Sequence, residues 1–336
     1  MSLLKNLPGL DEIRRATELV RTVMPATPTY TWPLLNIRCG ARSGAEVWIK
    51  HENHSPVGAF KLRGAMVYMD WLAREQPQLA RVVAATRGNH GQGVALAARR
   101  RGWTATIVVP HGNSREKNRA MQALGAELVE HGDDFQSANE YASDLASERG
   151  VHKVASFARH LVVGTGTYAL EMFEAAPELD TVFVPVGLGS SICGVIAARN
   201  ALGLKTRVVG VVAADSPSYS LSFGAGKVVP HEAGTKIADG LACRLPVAEA
   251  LEVILKHVDR FVEVTEDEIR DAMRAVYEDT HNIAEGAGAA AIAAVLKERD
   301  SIRGKRVGAV LTGGNVDREV FLEALNGNRS LDMTGA

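Results

Sequence analysis

The sequence predicts an α/β protein of two interleaved lobes, each a mainly parallel sheet with helices on both faces. Three observations lead there. Short β-branched runs alternate with helix-like segments along the whole chain, the order that builds parallel sheets through crossover helices. The runs are almost continuously apolar, as strands buried on both faces are. The 336 residues exceed what one small core needs, yet no repeat, low-complexity tract or Gly/Ser linker divides them. Two lobes without a linker must be interleaved. The expected division is a large lobe of residues 1–78 and 158–336 and a small mobile lobe of residues 79–157.

The elements follow in order. Residues 10–23 mix Asp, Glu and Arg with Ile, Leu and Val in the pattern of an amphipathic helix. Strands are expected at 46–52, 81–86, 104–110, 126–131 and 153–157, then at 181–186, 206–212, 260–264 and 306–311. A helix over 113–125 ends in glycine, as helices often do. The longest apolar run, 286–296, is mostly Ala and Gly and too short to span a bilayer.

Composition narrows the function classes. Hydrophobic residues at 46% and charged residues at 23% suit a globular protein. A net charge of −1 recruits neither nucleic acid nor an anionic membrane. Cys39, Cys193 and Cys243 are far apart and contain no C-x-x-C, which argues against a disulfide framework or a zinc knuckle. A cytoplasmic protein is expected. No metal constellation emerges, since His51, His54 and His281 are isolated. No G-x-S-x-G elbow marks a serine hydrolase.

In open parallel sheets, ligands bind beyond the carboxyl ends of the strands. Three post-strand loops are unusual. T-R-G-N-H-G-Q-G (86–93) runs into a helical segment and offers Asn89, His90 and Gln92 beside a glycine-freed backbone. G-L-G-S-S-I-C-G (187–194) can form an anion nest at a helix mouth, although it is neither a Walker motif nor G-x-G-x-x-G with its acidic partner. T-G-G-N (312–315) places a hydroxyl at a strand end, and its glycines would let something flat lie against the backbone. Each is also compatible with a plain structural turn. Elsewhere V-G-A-F-K-L-R-G-A (57–65) sets Lys61 in a Phe-framed, Gly-flanked turn. That lysine is either a surface cation whose stem packs on Phe60 or an amine held dry for covalent chemistry. Together, a lysine, an anion nest, an Asn-bearing turn and a hydroxyl suggest one cofactor with an aldehyde, a phosphate and a flat ring. Pyridoxal 5'-phosphate has all three.

The same residues resemble a known family. G-A-F-K-L-R-G-A resembles the G-S-F-K-x-R-G-A lysine motif of fold type II pyridoxal-phosphate enzymes, its R-G-A ending being typical of the serine/threonine dehydratase branch. T-R-G-N-H-G-Q is similar to S-S-G-N-H-G-Q, G-L-G-S-S-I-C-G to the tetraglycine phosphate loop, and T-G-G-N to S-G-G-N. K-I-A-D-G-L-A (236–242) and I-A-E-G-A-G-A-A (283–290) look like the family's I-A-D-G and V-E-P-S-G-A segments. The matches run in order from about Thr29 to Leu325. The resemblance implies the tryptophan synthase β-like architecture, with the cofactor on the large lobe and the small lobe closing over substrate. It implies that Lys61, next to Phe60, binds the cofactor aldehyde covalently and that Asn89 bonds the ring hydroxyl. Gly187, Leu188, Gly189, Ser190 and Ser191 would cradle the phosphate, Thr312 would face the pyridine nitrogen, and Glu285 would lie near the cofactor. Thr86, Arg87, Gly88, Asn89 and His90 would surround the substrate. Facing a hydroxyl rather than a carboxylate, the pyridine would stay unprotonated, which favours prompt loss of a β-substituent over transamination.

The function implied is elimination of water from a 3-hydroxy amino acid, serine or threonine by default, to give a 2-oxo acid and ammonia. A 3-hydroxyaspartate or a bulky phenylserine-type substrate is the alternative within the class, and amino-acid racemisation the alternative outside it. Three departures bear on this. Arg87 stands where serine racemases carry a second base, and a guanidinium is a poor base. It could pair with an acidic neighbour, grip a second substrate carboxylate or narrow the pocket. The phosphate loop has lost glycines, and Gly286 stands where proline is usual. Asp215 matches the first acidic ligand of a divalent-cation site in some relatives, but Leu221, at a later ligand position, cannot ligate, so no such site is expected. With one strand after the glutamate segment, no regulatory domain and no feedback by isoleucine are expected. The resemblance also implies a homodimer or homotetramer.

Overall fold

The computed structural model describes residues 2–40, 44–176 and 178–327. The expected large lobe therefore includes positions (1, 41–43, 177 and 328–336) that lie outside the described residues. After α1 (Leu10–Arg21), the chain forms β1 (Thr29–Thr31), α2 (Pro33–Arg38), β2 (Glu46–His51) and α3 (Lys61–Glu75). It then builds a second sheet from β3 (Arg81–Ala85), α4 (Asn89–Arg99), β4 (Thr104–Val109), α5 (Arg115–Ala123), β5 (Glu127–Glu130), α6 (Phe135–Arg149) and β6 (His152–Lys153). The first sheet resumes with α7 (Arg159–Ala175), β7 (Thr181–Pro185), α8 (Ser190–Ala201), β8 (Arg207–Ala213), α9 (Ser218–Ala225) and α10 (Ala248–His257). It ends with β9 (Arg260–Val264), α11 (Glu266–Thr280), α12 (Gly286–Lys297), β10 (Arg306–Leu311) and α13 (Arg318–Asn326).

The strand order is β1-β2-β10-β7-β8-β9 in the larger sheet and β5-β4-β3-β6 in the smaller. Every pairing is parallel except β1 with β2. The α/β architecture of two mainly parallel sheets is therefore as expected. Side-chain alternation sends successive residues to opposite faces. In β8, Val209 and Val211 join the core under α11 and α12, whereas Val208 and Val212 join the core under α7, α8 and α10. The smaller sheet divides likewise. Val82, Ala84, Ile107 and Val109 pack towards α3 and α4, and Val83, Ala85 and Val108 towards Ala138, Ala142 and Leu145 of α6. Both faces of the central strands β3, β4, β7, β8 and β10 are dry, which is why these strands read as continuous apolar runs.

Two elements differ from the sequence reading. β1 was not anticipated, because Pro25, Pro28 and Pro33 crowd it; as an edge strand it tolerates them. The strand expected at 153–157 shrinks to His152–Lys153. Only Val82 and Val83 pair with it, and beyond Val154 the chain leaves the sheet edge to reach α7.

A buried ion network ties α3 to the larger sheet. Arg63 is fully buried, and its guanidinium donates to Glu52 Oε2 at 2.7 Å, Glu171 Oε2 at 2.7 Å and Thr167 Oγ1 at 3.0 Å. Lys50 Nζ donates to Glu171 Oε2 at 2.7 Å. Removing one member of such a network strands opposite charges in a dry interior, at about 3–5 kcal/mol. Arg63→Ala is accordingly expected to lower unfolding stability by that amount, read as a shift of the urea midpoint of the coenzyme-free protein. A shift under about 1 kcal/mol would remove the network from the account of the fold.

Candidate active site

Four helices begin at one cleft: α4 at Asn89 and α8 at Ser190 directly after β3 and β7, α3 at Lys61 after the longer loop that follows β2, and α12 at Gly286 after the turn that ends α11. Their first-turn amides have no intrahelical acceptor, and their dipoles make the cleft a place for negative charge. Its walls include Phe60, Lys61, Thr86 through His90, Gly187 through Ser191, Glu285 and Thr312. Every site residue expected from the sequence thus lines one cleft, between the carboxyl ends of two sheets that are remote in sequence.

Lys61 Nζ lies 4.8 Å from the centre of the Phe60 ring. Burial pushes its pKa down to about 8, with Glu285 opposing the shift. The amine is therefore largely neutral just above that pH, unlike an exposed lysine. His90 is buried beside it, pushed down to about 3 by burial and by the charge of Lys61. It is neutral, and its Nε2 has no protein partner.

The phosphate-loop departures have a steric explanation. A Cβ at Gly187 would stand 2.3 Å from the Gly240 carbonyl oxygen, and one at Gly189 2.7 Å from the Ala250 Cβ. Gly189 also has φ +100°, so it is strained for any L side chain. Glycine is required at those two positions, while Leu188 and the two serines have room. Tyr219 Oη donates to the Leu188 carbonyl at 2.9 Å, and the Ser191 hydroxyl is 2.7 Å from Tyr168 Oη. The Ser191 hydroxyl is thus engaged by the protein, whereas that of Ser190, at the helix mouth, has no partner among the described residues. Gly286 is explained similarly, since a Cβ there would lie 2.2 Å from the Ile237 carbonyl oxygen.

The T-G-G-N glycines do something other than expected. A Cβ on Gly313 would meet Glu285 Oε1 at 2.5 Å and Ala59 Cβ at 3.1 Å. Gly314 N–H donates to the Gly58 carbonyl at 2.9 Å, and Phe60 N–H to the Thr312 carbonyl at 3.0 Å. These glycines let the lysine loop lie against the end of β10, rather than baring backbone to a flat ligand. Thr312 does line the cleft, its hydroxyl donating to the Ala287 carbonyl at 3.3 Å.

Sequence reasoning missed the support behind Asn89. Its amide donates to Glu285 Oε1 at 2.5 Å, and its Oδ1 accepts from Asn315 Nδ2 at 2.8 Å. Lys117 of α5 reaches across from the smaller sheet to Asp239 Oδ2 at 2.7 Å and Glu285 Oε2 at 3.1 Å. Burial works against its charge, but Glu285 and Asp239 outweigh that and raise its pKa. Glu285 itself is raised by burial, against the pull of Lys117. The stem of Lys117 packs on Gly88, where a Cβ would come within 2.3 Å of its Cδ. Asp239 was visible in the quoted K-I-A-D-G; Lys117 sits on a mostly polar helix and gave no pattern. Asp215 and Leu221 lie near α9, with Leu221 exposed, and among the described residues no three His, Cys, Asp or Glu side chains gather as metal ligands.

The cleft fits a coenzyme with an aldehyde and a phosphate. It offers a desolvated amine, a helix mouth whose glycines leave the amides uncovered, and a buried imidazole nitrogen without a partner. Two predictions test this geometry. Acylation of Lys61, followed by peptide mapping across pH, is expected to show a midpoint near 8. A midpoint above 10 would contradict the desolvated amine. Gly189→Ala, strained and clashing, is expected to weaken coenzyme binding by about tenfold to a hundredfold, measured by equilibrium dialysis, without loss of the folded state.

Residues 22–313 match the family described as pyridoxal-phosphate dependent enzyme. The chain is 36% identical over 319 residues to the L-threonine ammonia-lyase of Thermotoga maritima, covering 94% of this chain and 78% of that one. Its structure is similar to a pyridoxal 5'-phosphate-dependent aspartate racemase, with TM-score 0.87, 30% identity and coverage of 93% and 97%. It is similar also to the processed form of threonine deaminase isoform 2 from Solanum lycopersicum, with TM-score 0.85, 30% identity and coverage of 96% and 95%. No helix of the described residues is long and apolar enough to cross a membrane. With Lys61, the glycine-bounded helix mouth of α8 and the fold in agreement, the chain belongs to the pyridoxal-phosphate dependent enzymes of fold type II.

Proposed function

We propose that the chain is a dehydratase of 3-hydroxy amino acids, converting them to a 2-oxo acid and ammonia. The observation that carries this is the neutral-leaning Lys61 amine at the junction of two helix mouths, α4 from the smaller sheet and α8 from the larger. In this reading Lys61 Nζ holds the coenzyme aldehyde and the amides from Gly187 to Ser191 hold its phosphate. Asn89, fixed by Glu285 and Asn315, meets the ring hydroxyl, and Thr312 meets the ring nitrogen. Thr86 takes Gly88 N–H onto its hydroxyl at 2.9 Å, which shapes the turn so that the amides of Asn89 and His90 receive the substrate carboxylate. Bound there, the coenzyme supplies an electron sink beside Cα. Lys61 Nζ, once displaced from the aldehyde by the substrate's amine, would be free to take the Cα proton, and the β-hydroxyl would leave as water. The resulting enamine hydrolyses to the oxo acid and ammonium.

The names of the similar threonine ammonia-lyase and threonine deaminase support this reading. Racemisation is less well served, because Arg87 cannot act as the second base. The same proposal takes residues 79–157 as a small lobe that closes on the rest. Exposed Leu34 and Ile37 of α2 and Leu322 of α13, two helices that both pack on α11 with its exposed Tyr277, support a homodimer or homotetramer. Three buried unpaired cysteines suit a reducing cytoplasm.

The coenzyme-loaded protein is expected to release 2-oxo acid and ammonium in equal amounts from at least one of L-threonine, L-serine and 3-hydroxyaspartate. Lys61→Ala should abolish release and leave no borohydride-stable coenzyme adduct. Inversion of an enantiomer without oxo acid would replace this reading with racemisation.

A further inference from the structure

Resting on that reading, we propose that the natural substrate carries a second negative charge on its side chain and that Arg87 is the residue that selects it. The substrate class is a 3-hydroxy amino dicarboxylic acid. Arg87 follows Thr86 at the end of β3, in the turn opposite the α8 mouth, and its half-buried side chain lines both the cleft and the outer groove that opens into it. Among the described residues its guanidinium has no hydrogen bond and no carboxylate. The other fixed charges at this junction are satisfied within themselves, as Lys117 is paired with both Asp239 and Glu285. A half-buried guanidinium with five donors and no acceptor, beside a site for an amino acid, is a carboxylate subsite.

The groove repeats the pattern. Its acidic residues are engaged. Asp317 accepts from Ser114 Oγ, Glu116 from Arg318 N–H at 3.1 Å, and Glu319 pairs with Arg318. Its cations Arg119 and Lys236 make no side-chain hydrogen bond or ion pair among the described residues, and Arg115 only acts at a distance on Glu319. The groove is lined by six lysines and arginines and five carboxylates, a formal excess of one positive charge that favours an anion.

The chemistry balances without an added reagent. In 3-hydroxyaspartate the Cα–H and Cβ–O bonds break, and the hydroxyl departs with a proton as water. One water returns as the enamine becomes the four-carbon 2-oxo diacid and ammonium. An arginine–carboxylate pair made only by the dicarboxylate would favour it over threonine by about 10- to 100-fold in kcat/KM.

The test compares wild type and Arg87→Ser, both coenzyme-loaded. Oxo-acid release from 3-hydroxyaspartate stereoisomers, L-threonine and L-serine gives the ratio of kcat/KM values. Wild type should prefer a 3-hydroxyaspartate, and the variant should lose about 10- to 100-fold of that ratio, mainly through KM. A second readout does not need turnover, namely titration of the bound coenzyme's absorbance with L-aspartate and with L-alanine. Aspartate should perturb it at concentrations at least about tenfold lower than alanine in wild type, but not in the variant. Equal loss on all substrates would assign Arg87 to the α-carboxylate and overturn the proposal, as would an aspartate preference that is absent or survives the substitution. If no substrate is turned over yet the Arg87-dependent preference for aspartate stands, the subsite holds and the dehydratase reading fails alone.

Discussion

The active lysine is only as well placed as Arg63, two residues further along α3. All the donor groups of that guanidinium are spent on Glu52, Glu171, Thr27 and Thr167, which come from the end of β2, from α7 and from the segment before β1. A planar fork can satisfy two carboxylates at once in fixed geometry; an ammonium cannot. Net stabilisation is a weak reason for such a network, since desolvating its ions offsets much of their attraction. Its consequence is positional. It locks the first turn of α3 against the larger sheet, and so fixes where Lys61 enters the cleft.

The electrostatics of the cleft follow from how parallel sheets are built. Every β-to-α connection presents a helix N-terminus at the carboxyl edge; those of α3, α4 and α8 meet here, joined by the mouth of α12, which follows α11. That concentration of positive potential disfavours further cations, in line with a lysine whose pKa is lowered by burial. Burial, in turn, disfavours leaving the Glu285 carboxylate without a partner, and Lys117 answers by reaching from one sheet to the other. One residue of the smaller sheet therefore steadies the acid that, through Asn89, shapes the turn opposite the coenzyme lysine.

Glycine placement shows a third constraint, close approach of backbones. Gly187, Gly288 and Gly313 face carbonyls or side chains that leave no space for a Cβ, whereas Leu188 and Ser190 face the cleft and are free to vary. The distinction between glycines that admit a ligand and glycines that admit another strand of the same protein is invisible in the motif. G-G in T-G-G-N looked like the first kind and is the second.

What the sequence determined by itself was local and periodic: the order of strands and helices, their apolar faces, the absence of a linker and the post-strand loops where chemistry is carried. Those are legible because helix and strand periods, glycines and caps act over a few residues. β1 escaped because prolines mask an edge strand, and β6 was overestimated because an apolar run cannot report how long its neighbour stays beside it. Tertiary structure alone decided the long-range pairings: Arg63 with Glu171, Lys117 with Glu285, Gly58 with the end of β10, and the guanidinium of Arg87 left without a partner among the described residues. Whether two charges 100 or more residues apart meet depends on how the sheets dock, and no spacing along the chain encodes that.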